Sequence, residues 1–147
     1  MSEEIQFNKM AFAVDVAIFN ASGQVLLGKR LGAAGHGAWG LPGGHIHDNE
    51  DILVAAQREI IEELGENITI NLENKIIAIR DNCLPPQFMR HITIIIAGKH
   101  IKGDPVTNEP LRCEGWGWFD LNGLPSPLFS KIGEILAAYT KNVPLIV

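Results

Sequence analysis

Between Phe12 and Phe19 apolar positions alternate along a β-rich run, and Val25 to Lys29 carries a second such run. The residues between them, Asn20-Ala21-Ser22-Gly23, are turn formers, so the two runs predict a hairpin. Leu31 to Gly40 is glycine-rich and reads as a loop. The period then becomes helical. Leu53, Ala56, Ile60 and Leu64 form one stripe, Asn49 suits an N-cap and Gly65 suits a C-terminal stop, which predicts a helix from about Asp51 to Leu64. Further strands are expected at Ile76 to Ile79, at Phe88 to Ala97 after a Pro-Pro interruption, and at Trp116 to Phe119. A polar loop spans Lys102 to Arg112. Leu128 to Tyr139, with Ile132, Ile135, Leu136 and Tyr139 at helical spacing, reads as a closing helix.

Composition narrows the class. A chain of 147 residues suits one domain over 1–147, and 46% apolar with 20% charged residues is ordinary for a soluble globular protein. Hydrophobic runs such as Ile94 to Ala97 are far too short to span a bilayer, and the N-terminus has no apolar leader segment, so a cytoplasmic protein without membrane contact is expected. Cys83 and Cys113 do not make a disulfide framework. A net charge of −5 with no basic patch argues against a polymeric nucleic acid as partner, but not against a small anion bridged by metal ions.

The candidate chemistry lies on the first helix. Glu59, Glu62 and Glu63 are spaced i, i+3, i+4, so they share one helical surface beside the apolar stripe. Like charges at that spacing repel, and a hard divalent cation with oxygen ligands removes the repulsion. His36, His45, His91 and His100 show no ligand spacing, which speaks against zinc.

Residues 44–66, GHIHDNEDILVAAQREIIEELGE, resemble the Nudix box. Gly44, Glu50, Arg58, Glu59, Ile60, Glu62, Glu63 and Gly65 match its fixed positions, and Glu66 departs from it where an apolar residue is usual. VLLGKR, GHGAWGLPGGH, RHITIII and EPLRCEGWGWFDLNGLP extend the likeness from about Ala11 to Phe129, toward the MutT-type nucleotide triphosphate diphosphatases. His47 and Asn49 are further departures, standing where relatives often carry Glu and Gly.

The resemblance implies a Nudix fold, a mixed β-sheet sandwiched between helices in an α/β/α arrangement. It implies Mg²⁺, with Mn²⁺ as the alternative ion, held by Glu59, Glu62, Glu63 and the Gly43 carbonyl. Relatives recruit a further glutamate from the loop before the last strand; Glu109 and Glu114 both stand there, and the local frame favours Glu114. The implied catalytic set is Glu59, Glu62, Glu63 and Glu114, with Glu63 or Glu114 as base. Arg30, Gly44 and Trp116 are expected at the substrate, with Trp116 and the Leu128-Phe129 loop near the base. Arg58 is expected to orient a neighbouring carboxylate, with Glu50 bracing the cluster or Arg58. The implied reaction converts nucleoside or deoxynucleoside triphosphates to monophosphate and pyrophosphate. The alternatives are hydrolysis of an ADP-ribose-type nucleoside diphosphate sugar and a catalytically silent nucleotide sensor. The expected partner is a small nucleotide, and a homodimer is in keeping with the family.

Overall fold

The computed structural model describes residues 10–84 and 89–147. Pro85, Pro86 and Phe88, where the interruption and the start of a strand were expected, lie outside them. Eight strands and two helices run in the order β1 Met10–Phe19, β2 Val25–Arg30, β3 Trp39–Gly40, β4 Gly43–His45, α1 Ile52–Leu64, β5 Thr69–Leu84, β6 Met89–Lys102, β7 Cys113–Phe119, α2 Ile132–Thr140 and β8 Leu145–Ile146.

The strands form one mixed sheet in the order β3-β2-β1-β6-β5-β8, with β4 also pairing β1 and β7 pairing β2. β1 and β2 form the expected antiparallel hairpin, whereas β1 and β6 run parallel, Ala13 opposite Thr93 and Asp15 opposite Ile95. Alternation along β1 sends its side chains to two cores. Val14, Val16 and Ile18 pack with Ala55, Ala56, Ile60 and Leu64 of α1. Ala17 joins Ile77, Ile95, Ile132, Ile135 and Leu136 against α2. The mixed sheet between helices is therefore the one expected of a Nudix fold.

Several boundaries differ from expectation: β6 runs on past Ala97, β7 begins before Trp116, and Trp39–Gly40 of the expected loop forms β3. The N-cap of α1 is Asp51 rather than Asn49, and Leu53 is 38% exposed, because the first turn of the helix overhangs the sheet. β5 is far longer than Ile76–Ile79, and register shifts between Leu72 and Ile76 and between Ile76 and Ala78 break its alternation. The closing helix starts at Ile132, since Leu128 bridges to Trp39 and the Phe129 N–H bonds the Trp39 carbonyl at 2.8 Å. No helix among the described residues is long and apolar enough to cross a membrane.

Candidate active site

A cavity of about 820 Å³ is lined by α1, by the β4 glycines, by the loops around residues 32–34 and 109–113, and by polar residues of β1, β5 and β6. Its acidic wall follows from how α1 packs. Ala55, Ala56, Ile60 and Leu64 fix the buried face, and Glu59, next to Ile60, is carried down with them to 8% exposure. Glu62 stays half-exposed and Glu63 turns toward the cavity.

Arg58 ties this wall together. Its Nε and Nη2 donate to both oxygens of Glu50 at 2.7 and 2.8 Å, and Nη2 also reaches the His45 carbonyl. Nη1 donates to Glu59 at 2.9 Å and Glu62 at 3.2 Å. The fork of hydrogen bonds pulls the Glu50 carboxyl down to about 2. Arg58 thus bonds three carboxylates, those of Glu50, Glu59 and Glu62. Exposed His47 lies near Glu50, 3.8 Å away, and Glu66 points to solvent.

Glu63 has no such partner. The Gly43 N–H reaches its Oε2 at 3.4 Å, and burial, reinforced by the charges of Glu59 and Asp15, pushes its carboxyl up to about 9. Burial raises Glu59 as well, against the pull of Arg58.

The two glycines before the helix permit this crowding in different ways. β4 pairs β1 with Val14 opposite Gly44 and Asp15 opposite Gly43. A Cβ on Gly44 would fall on the Glu59 carboxylate, which can swing away. A Cβ on Gly43 would fall on the backbone carbonyl of Val14, which cannot, and Gly43 sits at φ +156°. Gly44→Ala is therefore expected to fold with a wild-type circular dichroism spectrum but lose at least about tenfold in turnover through a displaced Glu59. Gly43→Ala is expected to lose thermal stability as well. Equal melting temperatures for the two variants would contradict this division.

The loop after β6 is fastened to the end of α1. Val106 N–H bonds the Leu64 carbonyl at 2.9 Å, and Asn108 bonds those of Glu63 and Glu62 through its N–H and Nδ2. These donors satisfy carbonyls that a helix C-terminus leaves open. They set Glu109 on the cavity wall, where its charge is felt by Glu59 and Glu63. Glu114 goes elsewhere: it is exposed, does not line the cavity, and pairs with Lys29 at 3.2 Å. The structure thus brings Glu59, Glu62, Glu63 and Glu109 together and leaves out Glu114, the reverse of the expected choice between the two loop acids.

Arg30 also lines the cavity. Its guanidinium lies 4.0 Å from the centroid of the Phe129 ring and its Nε donates to the Ala34 carbonyl at 3.0 Å. Burial lowers its pKa while Asp15 nearby opposes the shift. Phe129 is thus engaged with an arginine rather than standing open as a base platform. Trp116 does line the cavity, packed on Gly28, with its indole Nε1 buried and without a partner. Trp118 packs into the α1 core beside His100.

The pattern reading missed Asp15, Arg80, Asn82, His91 and Thr93, which line the cavity from β1, β5 and β6. Their signal was a polar residue breaking an apolar strand, as Asp15 does between Val14 and Val16.

The acidic wall suits a hard cation. Glu59, Glu62, Glu63 and Glu109 offer only oxygen donors, and Glu63 is a buried acid with no positive neighbour bonded to it. Among the described residues no group of three or more His, Cys, Asp or Glu side chains stands close enough to hold a metal ion as a ready-made cluster. An ion of the Mg²⁺ type does not need one, since it keeps waters and takes substrate phosphates as ligands.

The NUDIX domain family matches residues 9–139, most of the chain. A MutT NUDIX hydrolase from Burkholderia pseudomallei superposes with a TM-score of 0.77 at 33% identity, covering 88% of this chain and 97% of that one. An oxidized purine nucleoside triphosphate hydrolase from Danio rerio is 31% identical over 103 residues, 70% of this chain and 62% of its own length. An RNA pyrophosphohydrolase from Bartonella tribocorum is 27% identical over 139 residues, 77% of this chain and 78% of its own. The chain belongs to the Nudix hydrolase family and is of the MutT type.

Proposed function

We propose that this protein hydrolyses nucleoside or deoxynucleoside triphosphates to the monophosphate and pyrophosphate, with Mg²⁺ as cofactor. The observation that carries this reading is that a guanidinium and a group of acids line one cavity. Arg30, fixed by Phe129 and the Ala34 carbonyl, offers its remaining donors to phosphate oxygens. Glu59, Glu62, Glu63 and Glu109 line the same cavity, and Arg58 is bonded only to the first two of them, so a polyphosphate would enter together with a cation.

Glu59, Glu62, Glu63, Glu109 and the Gly43 carbonyl are the groups that would hold the ion. When bound it supplies neutralisation of the phosphates, activation of a water and stabilisation of the leaving pyrophosphate. Arg58 keeps Glu59 and Glu62 in place, so they need no reorganisation on substrate entry. Glu63 would take a proton from the attacking water in its carboxylate form, the form that a bound cation would favour over the neutral acid of the metal-free protein. Gly44 lets the Glu59 carboxylate lie against the backbone beside the phosphate path.

The similarity to the Danio rerio nucleoside triphosphate hydrolase supports the substrate class. The similarity to RNA pyrophosphohydrolases favours a second reading, in which the triphosphate is the 5′ end of an RNA. The net charge of −5 speaks against it, because a polynucleotide would add a repelled backbone beyond the site. A screen with Mg²⁺ and phosphate readout, covering ribo- and deoxynucleoside triphosphates, ADP-ribose, a sugar nucleotide and a 5′-triphosphorylated oligonucleotide, separates these readings. Free triphosphates are expected to turn over fastest. A preference for the oligonucleotide or for ADP-ribose would overturn the assignment, and no turnover of any substrate would favour a silent sensor.

A further inference from the structure

Beneath the phosphate-facing arginine lies a second, buried one. Arg80, on β5, is 4% exposed. Its Nη2 donates to Asp15 Oδ2 at 2.9 Å and its Nη1 to the Ser130 carbonyl at 3.2 Å, while its Nε is buried without a partner. Arg80 also lies 5.3 Å from the centroid of the Phe129 ring against which Arg30 stacks. Asn82, two residues on, donates to the Ser130 hydroxyl at 2.8 Å. Two β5 side chains therefore tether the segment that carries Phe129.

A buried ion pair is a weak source of stability, and an apolar pair of similar volume often serves as well or better. The arrangement makes sense through the third member of the set. Asp15 lies close enough to both Arg30 and Arg80 for each to act on its charge. With Arg80 in place Asp15 is satisfied, and one positive charge, that of Arg30, is left over for phosphate. Without Arg80 the buried carboxylate has Arg30 as its nearest cation.

We propose that Arg80 is a positioning residue that holds Asp15 and the Phe129–Ser130 segment, so that Asp15 does not capture Arg30 and the Arg30 guanidinium stays available to the substrate phosphates. The inference rests on the triphosphate reading of the site. Arg80 acts through Asp15 and the Phe129–Ser130 segment, setting the position and free charge of the arginine that binds phosphate.

The test is a set of variants read by KM, kcat and calorimetric affinity for an α,β-methylene nucleoside triphosphate with Mg²⁺. Arg80→Met is expected to raise KM and Kd about tenfold or more, the effect of losing a charged hydrogen-bonding partner, with kcat changed much less. Arg80→Lys, which keeps the charge, is expected to recover most of the affinity. Asp15→Asn added to Arg80→Met is expected to restore binding, because the amide no longer attracts Arg30. In an Arg30→Met background, Arg80→Met is expected to cost little further affinity. Melting curves separate folding from binding: a purely structural role predicts that affinity follows melting temperature across the variants, whereas the positioning role predicts lost affinity in Arg80→Met, and its return with Asp15→Asn, at temperatures where both variants are fully folded. Wild-type affinity in Arg80→Met, or equal weakness of the single and double variants, would overturn the proposal. Failure of the wild-type protein itself to bind the analogue would instead overturn the triphosphate reading.

Discussion

Glu63→Gln is expected to lower kcat by about 10²- to 10⁴-fold, the range in which a positioned acid-base group contributes. The amide keeps the shape of the side chain but neither takes a proton nor holds a cation. The fold should not suffer. Because burial raises the Glu63 pKa to about 9 from an ordinary value of 4.5, the group is protonated in the metal-free protein near neutral pH, and glutamine imitates that neutral form. The sign of the pH dependence follows. A carboxyl whose pKa is raised on folding contributes stability that is fully present below the unfolded value and is lost as pH rises toward the folded one. The metal-free protein should therefore melt at falling temperature between about pH 5 and pH 9, with Glu59 and Asp15 shifted in the same direction. Glu63→Gln should flatten that slope. Melting curves across this range check it, and a variant with both wild-type turnover and an unchanged slope would remove Glu63 from the account.

Glu109→Ala is expected to cost about 10²-fold in turnover, and Glu114→Ala no more than about threefold. The difference comes from placement. Glu109 lines the cavity and acts on the charges of Glu59 and Glu63, whereas Glu114 is exposed and paired with Lys29. An exposed pair of that kind contributes little to stability, so both variants should melt close to the wild type. Steady-state kinetics at saturating Mg²⁺ separate the two residues. A greater loss in Glu114→Ala would mean that the loop rearranges when ion and substrate bind.

The choice between these acids marks where sequence patterns stop being informative. The box was legible because one helix carries it, and a helix converts spacing directly into a shared surface. Glu59, Glu62, Glu63 and Arg58 share a surface for that reason, and Glu50, just before the helix, joins them through Arg58. A loop has no such period. What places Glu109 is the set of open carbonyls at the end of α1, bonded by Val106 and Asn108, and nothing in the residues from Lys102 to Arg112 announces those bonds. The hairpin of β1 and β2 was equally legible from its alternation and turn. The length of β5 was not, since bulges reset its alternation and polar residues such as Glu73 and Lys75 occupy exposed positions along it. Asp15 and Arg80 are 65 residues apart and meet only through the parallel pairing of β1 with β6 and the antiparallel pairing of β6 with β5. Phe129 was expected near the base, and its ring stacks with Arg30, a contact between a loop and the end of β2 that no periodicity encodes.

Identifying the products tests the central claim most directly. Ion-exchange separation after incubation of a nucleoside triphosphate with the protein and Mg²⁺ should show monophosphate and pyrophosphate in equal amounts, with no diphosphate intermediate. Nucleoside diphosphate with orthophosphate would place the attack at the terminal phosphate and contradict the account, although the Nudix fold would stand.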